Sequence, residues 1–130
     1  MSTVLIATID SLLYEVLSSE ISGEGHTVIW AADGKDAYDM TLSQHPDLVF
    51  TEEELPIFSG YELAEMLQGD PEVPSALPVY LLSNEAPEPH RFTRAGFKGR
   101  FPREHGYFEL RELLAAELRQ PLVWEGDGGF

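Results

Sequence analysis

The chain has 130 residues, 23 acids against eight bases, no cysteine and a formal net charge of −15. That length suits one domain with its own core. The charge excludes a surface built for nucleic-acid phosphates, and the absent thiols exclude disulfides, cysteine nucleophiles and cysteine-held zinc.

The N-terminal stretch has no basic region ahead of its apolar run, and Asp10 breaks that run. No segment reaches the roughly 18 apolar residues of a membrane span. A soluble cytoplasmic domain is therefore expected, with neither nucleic acid nor membrane as partner.

In chain order, TVLIA (Thr3–Ala7) reads as a buried strand, and Asp10 as the N-cap of a helix over Ser11–Ile21. Leu13, Val16, Leu17 and Ile21 fall on one face of that helix. Gly23–Gly25 stops it, and His26–Ala31 is a second strand. Asp33 and Gly34 open a helix to about Gln44, with Ala37, Met40 and Thr41 inward; Pro46 ends it, since the residue before a proline avoids helical geometry. Asp47–Thr51 is the third strand, running into the acidic triplet Glu52, Glu53 and Glu54.

Gly60 introduces a helix bearing Leu63, Ala64 and Leu67, closed at Gly69–Pro71, and Leu77–Ser83 is the fourth strand. Pro87 and Pro89 allow only a late, short fourth helix. Phe97–Phe101 is the fifth strand, and Tyr107–Leu118 a closing helix with Leu110, Leu113, Leu114 and Leu118 spaced for one face. A domain over 1–118 is expected, followed by a tail over 119–130. For Trp124 and Phe130 in that tail a linker remnant is expected, against a docking peptide or a fold back onto the basic face.

Strands alternating with helices imply an α/β fold, a parallel sheet covered on both faces. Its binding site belongs at the carboxyl ends of the strands, near the switch in strand order. The informative positions are therefore Thr8, Ile9 and Asp10, then Glu52, Ser83 and Arg103.

The segments VLIATID, AADGKDA, HPDLVFTEEELPIFSGYEL, LPVYLLS and RAGFKGRFPRE come in one order over about residues 3–118. In that order they resemble the receiver domain of bacterial two-component response regulators. The resemblance implies a flavodoxin-like (CheY-like), doubly wound, five-stranded (βα)5 domain. It also implies phosphoryl transfer from a histidine kinase to an aspartate ending strand three. Magnesium would be held there by that aspartate, an acidic pair after strand one and a backbone carbonyl, with a Ser/Thr and a Lys binding the phosphoryl oxygens.

This sequence departs from that pattern. The acidic pair falls on Thr8 and Ile9, of which Ile9 has no ligating atom and Thr8 only a hydroxyl. Asp10 is acidic but one position late. The acceptor position is Glu52, one methylene longer than aspartate, and displacements of about 1 Å cost orders of magnitude in rate. The lysine position is Arg103, the proline after it is Glu104, and the aromatic position of strand five is Arg100. Ser83 alone matches.

The expectation is a degenerate pocket whose Glu52 is not phosphorylated. Ser83 and Arg103 would answer its charge and hold one fixed state, unless Glu52 is only a solvated loop residue. Glu52, Glu54 and Asp10 are the carboxylates that could converge on a metal. Without the acidic pair no tight metal site and no cofactor are expected. No Gly-rich phosphate loop or serine elbow is present, so no enzyme activity is expected. The histidines His26, His45, His90 and His105 have no ligand spacing.

Residues 1–90 carry 17 acids and one base, whereas residues 91–130 carry 6 acids and 7 bases. Arg91, Arg94, Lys98 and Arg100 make the helix-four and strand-five region the candidate interaction face, for an unidentified signalling protein or for a homodimer through helix four, strand five and helix five. The function expected is a phosphorylation-independent receiver acting as a protein interaction module. The alternatives are a small-ligand-sensing pseudo-receiver and a weakly phosphorylatable one.

Overall fold

The computed structural model describes residues 1–124. Five strands, β1 (Thr3–Ala7), β2 (Thr27–Ala31), β3 (Leu48–Glu52), β4 (Val79–Leu82) and β5 (Gly99–Phe101), form one sheet in the order β2-β1-β3-β4-β5. Every neighbouring pair is parallel. Between them run α1 (Ser11–Gly23), α2 (Gly34–Gln44), α3 (Gly60–Gly69), α4 (Pro89–Ala95) and α5 (Tyr107–Glu117).

Strand alternation divides the core in two. Val4, Ile6, Leu48, Phe50 and Phe101 face α1 and α5, meeting Leu13, Leu17, Ile21, Leu110 and Leu114. Leu5, Ala7, Val49, Val79 and Leu81 face the opposite way and meet α2, α3 and α4 through Ala37, Leu63, Ala64, Leu67 and Ala95. Burying each such aliphatic side chain contributes about 1.5–3 kcal/mol. Because both faces are covered, β1 and β3 read as continuous apolar runs.

The helix starts follow local chemistry. Asp10 caps α1 by accepting the Leu12 and Leu13 amides, at 3.1 and 3.1 Å. Asp33 accepts the Asp36 amide at 2.7 Å, and Ser59 and Glu62 form a reciprocal capping box on α3. Glu88 caps α4 ahead of Pro89 at the first turn, and Gly96 ends that helix at φ 89°. The fourth helix is accordingly short, seven residues.

Three sequence expectations change. Val16 is 45% exposed rather than inward, because the buried stripe of α1 is only as wide as Leu13, Leu17 and Ile21. Met40, Leu113 and Leu118 lie at the margins of the core, partly buried. The chain after α5 is not frayed as far as Trp124. It returns beneath the sheet, where Leu122 N–H donates to Asp47 Oδ1 at 3.4 Å and the Thr3 amide donates to Asp47 Oδ2 at 3.0 Å. Trp124, 3% exposed, stacks on His45 with centroids 4.5 Å apart. The ring it stacks on is His45 rather than any residue of the basic cluster. Phe130 lies outside the described residues.

Candidate functional site

The order β2-β1-β3 places the switch in strand order between β1 and β3, so Thr8 and Glu52 emerge side by side at its carboxyl edge. Glu52 is the last residue of β3, and α3 begins close against it. A Cβ on Gly60 would lie 2.1 Å from the Glu52 carbonyl oxygen, so only glycine permits this approach. The Gly60 amide donates to the Glu53 carbonyl at 2.8 Å.

The loop between them is fixed tightly. Pro56 O accepts both the Phe58 amide at 2.8 Å and the Gly34 amide at 3.0 Å. The first of these bonds closes a three-residue γ-turn around Ile57, whose φ of 70° is strained for a β-branched residue.

Four side chains meet at the strand ends. The Thr8 hydroxyl donates to Glu52 Oε1 and accepts the Asp10 amide, the latter at 2.9 Å. Arg103 reaches across from the segment after β5. Its Nη2 donates to Asp10 Oδ2 at 2.6 Å, and its Nε lies 2.7 Å from Glu52 Oε2 without the alignment of a hydrogen bond. Trp30 flanks the group, donating its Nε1–H to the Thr8 carbonyl at 2.8 Å.

Glu52 is only 15% exposed, so its charge is largely withdrawn from water and held against an internal cation. The α1 amide of Leu13 holds the Asp10 carboxyl below its usual range against a desolvation that raises it, and the Arg103 charge adds to the lowering.

Of the strand-end residues singled out from sequence, Thr8, Asp10, Glu52 and Arg103 come together. Asp10 caps α1 as expected, and its pairing with Arg103 is additional. Ile9 points outward, 61% exposed. Ser83 does not answer Glu52. Its hydroxyl is spent within its own turn, donating to Glu85 O at 3.0 Å and accepting the Glu85 amide at 3.1 Å. A serine followed by a loop has this local choice, and here the local bond wins. Glu54 is exposed and borders an open hollow with Ile9, Leu55 and Arg91.

Magnesium does not fit this donor set. Thr8 gives its proton to Glu52, Ile9 has no donor atom, and Asp10 is committed to two amides and a guanidinium. Among the described residues, no group of three or more carboxylates or imidazoles is arranged to hold a metal ion.

The basic cluster is exposed but engaged. Arg91 lies 3.9 Å above the Tyr61 ring and 3.7 Å from Glu53, Lys98 pairs with Glu117 at 2.6 Å, and Arg100 donates to the Ser83 carbonyl at 2.9 Å. Arg94 occupies the last turn of α4, exposed. Phe97 and Phe101 are both buried. The Tyr80 phenol is pushed well above its ordinary pKa, first by burial and then by its hydrogen bond to Glu117.

Sequence reasoning passed over Trp30 and the pairs Trp124–His45 and His105–Glu20. Each partner lies 22 or more residues away, and no period in the sequence signals such pairs.

The family described as response regulator receiver domain matches residues 4–113. The chain belongs to the receiver family. Its curated relatives include response regulator MprA of Mycolicibacterium vanbaalenii, 28% identical over 129 residues, 96% of this chain and 54% of that protein. The polar-differentiation response regulator DivK of Brucella ovis is 30% identical over 55% of this chain and 58% of its own length. The chain thus spans less than two thirds of the curated relatives it matches.

The fold matches a response regulator from Chloroflexus aurantiacus at TM-score 0.82 and 24% identity, covering 92% and 98% of the two chains. Chemotaxis protein CheY4 of Vibrio cholerae gives 0.82 at 18%, covering 90% and 98%. The receiver domain of sensor histidine kinase PA1611 from Pseudomonas aeruginosa, which carries a magnesium ion in its active-site cleft, gives 0.81 at 20%, covering 92% and 98%. A receiver is a signalling module, and this one has no described helix long and apolar enough to cross a membrane.

Proposed function

We propose that this receiver is a phosphorylation-independent interaction module in two-component-type signalling, with its strand-end pocket held in one state by its own side chains. The observation that carries this reading is the engagement of both Glu52 oxygens, Oε1 by the Thr8 hydroxyl and Oε2 by the Arg103 guanidinium. Phosphoryl transfer needs a carboxylate oxygen aimed in line and a cation placed to neutralise the transferring group. In this pocket the carboxylate is occupied and the cation is already spent on Glu52 and Asp10. The pocket holds phosphoryl-like charge without a phosphoryl group.

The output then lies in surface shape. The α4–β5–α5 region, with Arg91, Arg94, Lys98 and Arg100, is the proposed contact face for a protein partner or for a second copy. Because Arg91, Lys98 and Arg100 already have internal partners, an acidic partner there would exchange bonds rather than meet bare charge.

The test is an amide NMR titration with magnesium and beryllofluoride, joined to intact-mass measurement after exposure to a small phosphoryl donor. Unmoved amides at Thr8, Glu52 and Ser83, with unchanged mass, are expected. A phosphoryl adduct or strand-end shifts would overturn the reading.

A further inference from the structure

Among the described residues, buried side-chain nitrogens and oxygens without a hydrogen-bond partner are confined to Glu20 Oε2, His105 Nε2, Arg103 Nε and Trp124 Nε1. Three of these four lie in one connected chain of residues. Native proteins hold few such groups, because each unsatisfied one carries the cost of its desolvation.

The chain begins on α1 and ends at Glu52. The His105 side chain is 2% exposed, and its ring packs on Phe101 with centroids 5.0 Å apart. One ring nitrogen, Nδ1, faces the Arg103 carbonyl oxygen at 3.3 Å; the other, Nε2, faces Glu20 Oε2 at 3.4 Å. The two acceptors therefore bracket the ring from the Arg103 backbone and from α1. Arg103 in turn reaches Glu52 and Asp10. Nearby, Glu24, the cap residue just past α1, accepts from Tyr107 and lies 3.6 Å from Arg111, a separate set of contacts at the end of that helix.

We propose that Glu20, His105 and Arg103 form a relay by which the surface between α1 and α5 controls the strand-end pocket. It rests on the Glu52–Arg103 engagement described above and adds a route for regulating it. His105 is a positioning residue that acts on Glu52 only through Arg103.

The physical basis is the incomplete bonding. A polar chain buried with its contacts nearly made has two nearby arrangements, one gripping Arg103 and one releasing it, and a small external bias chooses between them. Drawing the Glu20 carboxylate outward, as a cation on a partner would, removes one wall of the histidine seat and slackens the segment that aims the guanidinium.

The test follows the side-chain Nε–H resonance of Arg103 in the full chain by nitrogen-15 NMR. Glu52→Gln is expected to shift that resonance. Glu20→Gln and His105→Leu are expected to shift it too and to speed its hydrogen exchange about tenfold, the equivalent of about 1.4 kcal/mol of lost protection. His105→Gln, which keeps an N–H for one acceptor, restores part of the protection, and Glu24→Gln leaves the resonance in place. Wild-type amide positions in β1 and β3 show that each variant folds, and Glu20→Gln serves as the decisive variant where His105→Leu does not. If Glu52→Gln shifts the resonance and Glu20→Gln leaves it unmoved, the relay is wrong and the pocket reading stands. A Glu52→Gln variant with an unmoved Arg103 resonance overturns the pocket reading and the relay with it.

Discussion

The two ends of the sheet are built by opposite rules. At the carboxyl end, a threonine, two carboxylates and an arginine from distant segments are pressed together, some with contacts left unaligned. At the amino end, Leu122, His45 and Trp124 close the base of the sheet with apolar and stacked contacts, Asp47 satisfies two backbone amides, and Trp124 Nε1 is buried without a hydrogen-bond partner. The base secures the fold, whereas the top keeps charge out of water at a cost, which is the usual mark of a site kept for something other than stability.

That contrast can be broken most forcefully at Gly60. Gly60→Ala drives a Cβ to 2.1 Å from the Glu52 carbonyl oxygen. It should destabilise the domain by about 3 kcal/mol and displace the Glu52 amide, measured by urea unfolding and NMR. Trp124→Ala attacks the other end. A loss of about 3 kcal/mol is expected, with the amides of Thr8 and Glu52 unmoved. Movement of both would show that the ends are not separable.

Ile57→Gly sharpens the picture of the loop that covers the top. Relief of its positive φ should raise stability by about 1 kcal/mol in the same unfolding experiment, and a loss there would mean that the turn is not strained.

Asp10→Asn is the mildest. Asparagine still caps α1 but carries no charge for Arg103, so a small loss of stability is expected at neutral pH, and the acid response changes in form. The Asp10 carboxyl titrates below its unfolded value, so its stabilisation is present above about pH 4 and is lost as pH falls through the folded value. The unfolding midpoints of wild type and variant should therefore converge as pH falls below about 4. Parallel curves would remove Asp10 from the acid response.

The sheet and helices were legible because apolar runs, prolines and cap residues act locally. Thr3–Ala7 could only be a buried strand, and Pro89 could only start a short helix. The members of the pocket were legible as strand ends, since the topology alone brings them together. Their bonding was not. Ser83 turned to its own backbone because a bond two residues away is easier to reach than one across the sheet. Arg103 found Asp10, 93 residues distant, through tertiary geometry that no spacing encodes. Trp124 lay in a segment whose glycines and single proline read as loose chain, while its seat was built by His45, far back in the sequence.

The indole of Trp30 touches the pocket through the Thr8 carbonyl and is 40% exposed, while the indole of Trp124 is buried at the base. These are the two tryptophans of the chain. The protein thus carries one optical reporter at each end of its sheet. A soluble quencher distinguishes them, because it reaches the first and not the second. Light emission alone can then say whether a disturbance began in the pocket or beneath it.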